Sequence, residues 1–145
     1  MYINCHSVFS FRYGTLKATE LLEIAQKCGV NAIALTDINN TSACINFVRE
    51  AQKYKIKPVV GIDFRNEIQA QFLGLAKNNQ GFQKLNDYLS YFLHSEKQIP
   101  EKAEIHDDVF IIYPFEKWKH RFIDLKDHEY IGISLEDLKQ LPFSP

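Results

Sequence analysis

The sequence predicts an α/β fold with a mostly parallel sheet, because strand-like and helix-like segments alternate along its 145 residues. Two observations support this prediction. Short apolar runs, such as residues 30–36, have the composition of strands that are buried on both faces. Between them lie longer segments, such as residues 16–28, whose apolar side chains recur at helical spacing. Periodicity alone leaves an open sheet and a barrel equally compatible with the pattern.

The elements follow one another in a regular order. Six strands are predicted, at residues 2–6, 30–36, 59–64, 70–76, 109–113 and 130–133. The first helix has an apolar stripe and a glycine at its end: Leu21, Ile24, Ala25, Cys28 and then Gly29. The second begins at a cap on Thr41 or Ser42 and has the stripe Cys44, Phe47, Val48 and Ala51.

The remaining elements have equally clear signals. The third helix begins at Asn78 or Asn79 and presents Phe82, Leu85, Leu89 and Phe92. Residues 94–108 are polar and are predicted to form a loop, and Ser134 with Asp137 should begin a final helical turn.

Composition excludes several classes of function. A net charge of −1 gives no broad positive surface, so bulk electrostatics do not predict nucleic-acid binding by the chain itself. No apolar run approaches the roughly 18 residues of a spanning helix, and no basic and apolar leader precedes the first strand, so we expect a cytoplasmic protein. The three cysteines include no CxxC pair, which argues against disulfides or a thiolate zinc site and favours buried small side chains. The dinucleotide and P-loop glycine motifs are both missing.

Candidate functional residues lie where the first three strands end. Asn4 and His6 point to one face of the first strand, Asp37 follows the second strand, and Asp63 lies in the third. One imidazole and two carboxylates at one rim form a candidate site for a divalent cation. The alternative is structural, since an Asp in a strand-to-helix turn commonly accepts free backbone N–H groups and a rim histidine is commonly hydrogen bonded. The residues alone leave both interpretations open.

Three segments, in order and spacing, carry the pattern of a known family: NCHSVFSFRYGT, AIALTDINNTSACINFVREAQKYKIKPVVGIDF and FLGLAKNNQGFQKLNDYLS. They resemble the opening of the PHP domain of bacterial DNA polymerase III alpha subunits, and the resemblance extends to about Leu93. It implies a partial, distorted (β/α)7 TIM-like barrel that forms a single domain over residues 1–145. Because complete PHP domains of this family are longer, and residues 141–145 have the composition of a loop, we expect the N-terminal portion of a domain that is truncated at its C-terminus.

The resemblance also implies cofactors and partners. Active members bind zinc or manganese and hydrolyse phosphoesters, whereas the parent polymerase uses magnesium. Some polymerase versions are proofreading exonucleases, and others are scaffolds that contact a separate exonuclease subunit. The implied partners are therefore the rest of the polymerase alpha chain, the exonuclease subunit, and DNA through the full-length protein, without a membrane.

Most of the family's metal ligands are missing when its motifs are carried over to this chain. The positions concerned are Asn4, His6, Tyr13, Asp37, Ile38 and Asp63. Asn4 replaces an imidazole, Tyr13 replaces a ligand, and Ile38 stands at the histidine of the family's Thr-Asp-His, so only His6 and Asp63 keep competent donors. Zinc sites need three or four good ligands, so we expect no bound metal, no catalytic residue and a structural or interaction role. The alternatives are a metal-dependent phosphoesterase or proofreading exonuclease with a substitute ligand set, and an α/β protein of another kind.

Overall fold

A computed structural model describes residues 1–105, 107–118 and 124–140. Its strands are β1 (Tyr2–Cys5), β2 (Ala32–Leu35), β3 (Lys57–Asn66), β4 (Gln69–Ala76), β5 (Val109–Pro114) and β6 (Glu129–Gly132). Its helices are α1 (Ala18–Lys27), α2 (Cys44–Ala51), α3 (Asn79–Ser95) and α4 (Phe115–Trp118). Short 3-10 turns cover Gln52–Tyr54 and Asp137–Gln140. The loop expected at residues 141–145 lies outside the described residues.

The six strands form one sheet in chain order, β1-β2-β3-β4-β5-β6. In the described part of the chain, three of the five pairings are parallel, and β4 runs antiparallel to both of its neighbours. The reversal at β4 follows from its short connection, since Glu67 and Ile68 alone join it to β3 and a parallel connection needs about a dozen residues. The mostly parallel α/β fold is therefore confirmed, with a hairpin in place of one strand–helix–strand unit.

The sheet curls into a partial barrel. Its two edge strands line the same cleft, with Ile3 and Asn4 of β1 on one side and Gly132 of β6 on the other. This curvature confirms the TIM-like architecture that the resemblance implies. It also gives the sheet an inner face, which lines the cleft, and an outer face, which the helices cover.

Two clusters of buried side chains hold the helices against the outer face. α1 and α2 pack on β2 and β3 through Leu22, Phe47 and Leu35, which are fully buried. α3 packs on β3, β4 and β5 around Phe64 and Leu85. Burial of a side chain of this size contributes about 2–3 kcal/mol, so the helices are held mainly by these contacts. A small third cluster, which contains Ala34, Leu73 and Leu75, lies on the inner face.

Three of the predicted helix ends are confirmed. Gly29 ends α1 with a positive φ of 68°, which favours glycine because a side chain would crowd the backbone there. Asn78 begins α3, and its side-chain oxygen accepts the N–H of Gly81 at 2.9 Å. Ser134 and Asp137 bond each other's backbone N–H groups, at 2.7 and 3.2 Å, before the last helical turn.

Two other local predictions are wrong. The cap of α2 is Ala43, without a side-chain hydrogen bond, because the Thr41 hydroxyl donates instead to Asn86 of α3 at 2.7 Å. Cys28 is exposed because the buried face of α1 is centred on Leu22 and Ala25, so Ala25 is the fully buried member of the predicted stripe. Packing against α2 and the sheet decides which of two adjacent apolar stripes is buried.

Candidate metal centre at the ends of the first three strands

β1, β2 and β3 run parallel, so the carboxyl ends of β1 and β2 lie at one rim beside the second half of β3, which continues to Asn66. Pairing continues beyond the end of β2, where Ile38 forms an isolated parallel bridge with Asp63. The N–H of Asp63 donates to the Asp37 carbonyl at 3.2 Å, and the N–H of Asn39 donates to the Asp63 carbonyl at 3.1 Å. Both carboxylates of the candidate site are therefore positioned by backbone hydrogen bonds.

The Asp37 cluster consists of Asp37, Ser7 and Ser10. The buried Asp37 carboxylate accepts three hydrogen bonds of 2.6 Å, from the Ser7 N–H, the Ser7 hydroxyl and the Ser10 hydroxyl. The Ser10 oxygen also accepts the N–H of Ile38 at 2.9 Å. Charge-assisted hydrogen bonds of this kind are among the strongest in proteins. They direct the oxygens of Asp37 towards the loop after β1, and they satisfy the carboxylate without a cation.

That loop, residues 7–14, is compact. The N–H groups of Tyr13 and Gly14 both donate to the Ser10 carbonyl, at 2.9 and 2.8 Å. A Cβ atom on Gly14 would lie 1.7 Å from the Ser7 carbonyl oxygen, so only glycine allows this close approach. The loop therefore has a defined shape, which brings Tyr13 over the end of β3.

The Asp63 cluster consists of Asp63, His6, Arg65 and Tyr13. Oδ2 of Asp63 lies 3.1 Å from His6 Nε2, and it accepts hydrogen bonds from Arg65 Nε at 3.0 Å and from Arg65 Nη2 at 2.7 Å. The Asp63 and Arg65 side chains are only 5% and 12% exposed. Arg65 Cζ lies 4.5 Å from the centre of the Tyr13 ring, within the range of a cation–π contact.

The environment of Arg65 favours its charged form. Burial by itself lowers the pKa of the guanidinium, but the hydrogen bonds and the charge of Asp63 outweigh burial and raise that pKa above its usual value. Asp63 and Arg65 therefore form an ion pair with little access to solvent.

The structure brings together only part of the predicted ligand set. His6, Tyr13 and Asp63 are neighbours, whereas Asp37 is bonded to the serines and Asn4 accepts the Thr36 hydroxyl at 3.0 Å. Ile38 has no donor atom in its side chain. Within residues 1–105, 107–118 and 124–140, no group of three His, Cys, Asp or Glu side chains is arranged to hold a metal ion. The three expected positions that lie together present one imidazole, one phenol and one carboxylate.

A cleft of about 400 Å³ opens beside the Asp63 cluster on the inner face of the sheet. Its lining combines polar groups at the rim with apolar side chains of the central strands, including Asn4, Asp63, Arg65, Leu73 and Ile112. The acidic residues Glu116 and Asp137 also line it. Among the described residues that line this cleft, Arg65 is the cationic one, and the other charged residues are acidic.

Sequence reasoning missed Arg65, Ser7 and Ser10. A usable signal existed for Arg65, because residues two apart on a strand point to the same face and the sequence reads Asp63-Phe64-Arg65. The two serines have no comparable signal. Their bonds to Asp37 span 30 and 27 residues and arise only in the folded chain.

Comparison with protein-family models identifies the family of the chain. The PHP domain model matches residues 3–129. The chain belongs to the PHP domain family. It is 31% identical over 106 residues to the DNA polymerase III subunit alpha of Ureaplasma parvum, a match that covers 73% of this chain and 10% of that protein. It is 33% identical over 98 residues to the DNA polymerase III subunit alpha of Escherichia coli K12, covering 62% of this chain and 8% of that protein. The predicted resemblance is confirmed, and the chain spans about a tenth of the length of these curated relatives.

A solved structure supports the fold independently. An amidohydrolase from Chromobacterium violaceum superposes with a TM-score of 0.50 at 22% sequence identity, over 65% of this PHP chain and 32% of that one. At this identity the likeness concerns the fold alone. Among the described helices, none has both the length and the apolar character needed to cross a membrane.

Proposed function

We propose that this PHP chain is a non-catalytic structural and interaction module of a DNA polymerase III alpha subunit, with a degenerate metal site. Residues 1–145 then form the N-terminal portion of a single PHP domain. Similarity to two alpha subunits over 62–73% of the chain supports the parent assignment. With this assignment we also expect the chain to be located in the cytoplasm, where replication enzymes act.

The observation that carries the proposal is the chemistry at the expected ligand positions. Asn4 offers only an amide oxygen, which accepts the Thr36 hydroxyl. Tyr13 offers a phenol whose ring covers Arg65, and Ile38 offers only hydrocarbon. A hydrolytic metal cluster needs each of its ions held by several good donors. These three residues supply too few donors to assemble one.

The partners follow from the parent assignment. The remainder of the polymerase alpha chain is the first partner, and the proofreading exonuclease subunit is the second. DNA is contacted only through the full-length protein, since a net charge of −1 provides little attraction to phosphates. Magnesium belongs to the polymerase centre of the full-length protein rather than to this chain.

The test combines metal analysis with an activity assay. The purified chain, dialysed against zinc or manganese, should retain less than stoichiometric metal, and it should not hydrolyse a chromogenic phosphoester or a single-stranded 3′ end. Retention of one or more equivalents at micromolar affinity would contradict the proposal, and so would metal-stimulated hydrolysis.

A metal-dependent phosphoesterase remains the second candidate because His6 and Asp63 lie 3.1 Å apart beside the cleft. That function requires hydrolysis to disappear in both His6→Ala and Asp63→Ala. His94→Ala is the matched control, since His94 is exposed on α3, far along the chain from the site. Hydrolysis that survives in both site variants would identify a contaminating enzyme.

A further inference from the structure

We propose that Arg65 is the resident cation of the rim, so that an intramolecular guanidinium takes the place of a metal ion beside Asp63 and His6. This inference rests on the proposed function, because it explains how a rim without a metal ion is stabilised. It assigns a role to a residue that belongs to none of the expected ligand positions.

The buried charge of Asp63 needs a compensating cation. An aspartate side chain that is 5% exposed loses most of its hydration, and an isolated buried carboxylate is strongly unfavourable. In an active metal site the ions would compensate that charge. Here two N–H groups of Arg65 converge on one oxygen of Asp63, at 2.7 and 3.0 Å, and provide the compensation directly.

Arg65 is held in position at both its backbone and its side chain. The Asn39 side chain accepts the N–H of Arg65 at 3.0 Å and donates to its carbonyl at 2.8 Å. The register with β4 shifts between Phe64 and Arg65, but the extra residue is Gln71 of β4, so β3 keeps its alternation and Arg65 points to the same face as Asp63. The guanidinium is therefore directed to Asp63 by the local backbone and is not a surface group in chance contact.

Tyr13, which stands where the family is expected to have a ligand, covers the guanidinium of Arg65. The guanidinium carbon lies 4.5 Å from the centre of the Tyr13 ring, and the imidazole of His6 meets the same ring edge-on at 6.3 Å. A carboxylate at this position would attract a metal ion, whereas an aromatic ring covers a planar organic cation. The aromatic ring of Tyr13 therefore suits the guanidinium of Arg65.

The experiment compares Arg65→Met with Arg49→Met in the 145-residue chain. Arg49 is 73% exposed on α2, so its replacement controls for the loss of an arginine from the surface. Arg65→Met should lower the folding equilibrium constant about a hundred-fold to a thousand-fold, because it leaves a buried carboxylate uncompensated. The thermal midpoint should fall by on the order of 10 °C. Arg49→Met should change the equilibrium constant less than about three-fold.

A second variant tests the stated cause. In Asp63→Asn/Arg65→Met both charges are removed, so the double variant should regain at least about ten-fold of the equilibrium constant lost in Arg65→Met. If Arg65→Met does not fold, the double variant should fold. The inference is overturned if Arg65→Met is as stable as Arg49→Met, or if the double variant is as unstable as Arg65→Met. Metal-stimulated hydrolysis would instead overturn the proposed function, so the two failures are distinguishable.

Discussion

The Asp37 and Asp63 clusters satisfy two buried carboxylates at one rim by different means. Asp37 accepts three hydrogen bonds from neutral donors of the loop after β1. Asp63 is paired with a cation, Arg65, and contacts one imidazole. The first arrangement keeps a net negative charge and connects a loop to the sheet, whereas the second cancels the charge locally. A rim that resembles a metal site can therefore be held together by hydrogen bonds at one carboxylate and by an ion pair at the other.

The two arrangements should respond differently to loss of the carboxylate. Asp37→Ala leaves two buried hydroxyls and one N–H without their acceptor, so it should lower the free energy of unfolding by about 3–5 kcal/mol. Asp63→Ala should have a smaller effect, about 1–3 kcal/mol, because the long Arg65 side chain can extend to water through the cleft. Urea denaturation of both variants checks the difference, with the exposed Asp87→Ala as the control. Equal losses in the two site variants would remove the distinction between the clusters.

Removal of one donor should show how far the Asp37 cluster depends on the loop. Ser10→Ala deletes a 2.6 Å bond to Asp37 and also deprives the Ile38 N–H of its acceptor. The free energy of unfolding should fall by about 1–2 kcal/mol, and Ser42→Ala, at an exposed serine before α2, should change it by less than about 0.5 kcal/mol. Indistinguishable values for the two serines would mean that the loop does not stabilise the carboxylate.

The smallest expected effect concerns the net charge of the Asp37 cluster. Burial, and then the negative charge of Asp37, raise the pKa of the Cys44 thiol to about 12. Asp37→Asn should therefore lower that pKa, whereas Asp63→Asn should leave it unchanged because Arg65 already cancels the charge of Asp63. Ultraviolet absorbance of the thiolate measures the pKa in a background with Cys5→Ala and Cys28→Ala. Equal pKa values in Asp37→Asn and Asp63→Asn would contradict the comparison.

The same shift has a consequence for stability at alkaline pH. In the folded chain the pKa of Cys44 is raised above the unfolded value of 9.0. The protonated thiol therefore contributes to the free energy of unfolding in full below pH 9.0, and this contribution is lost as the pH rises towards about 12. In Cys44→Ala the free energy of unfolding should therefore fall less between pH 9.0 and about pH 12 than it does in the unsubstituted chain. Cys28→Ala, at an exposed thiol, should retain it.

Much of the fold was predictable because its signals are local. The strands have apolar runs, and Gly29, Asn78 and the Ser134–Asp137 pair mark helix ends by their own backbone and side-chain preferences. The cap of α2 and the exposure of Cys28 were not predictable in this way. The Thr41 hydroxyl does not cap α2 because it donates to Asn86, 45 residues away. Contacts with α2 and the sheet determine which face of α1 is buried.

The sequence by itself determined the α/β class, the PHP family pattern and the residues that stand at the expected ligand positions, because each of these depends on residue type and spacing along the chain. The tertiary structure alone decided what those residues do. It separates Asp37 from Asp63 by giving each its own partners, and it places Arg65 and Tyr13 beside Asp63. The physical reason is that a buried carboxylate must be compensated, and the choice between hydroxyls and a guanidinium depends on which distant segments the fold brings within hydrogen-bonding distance.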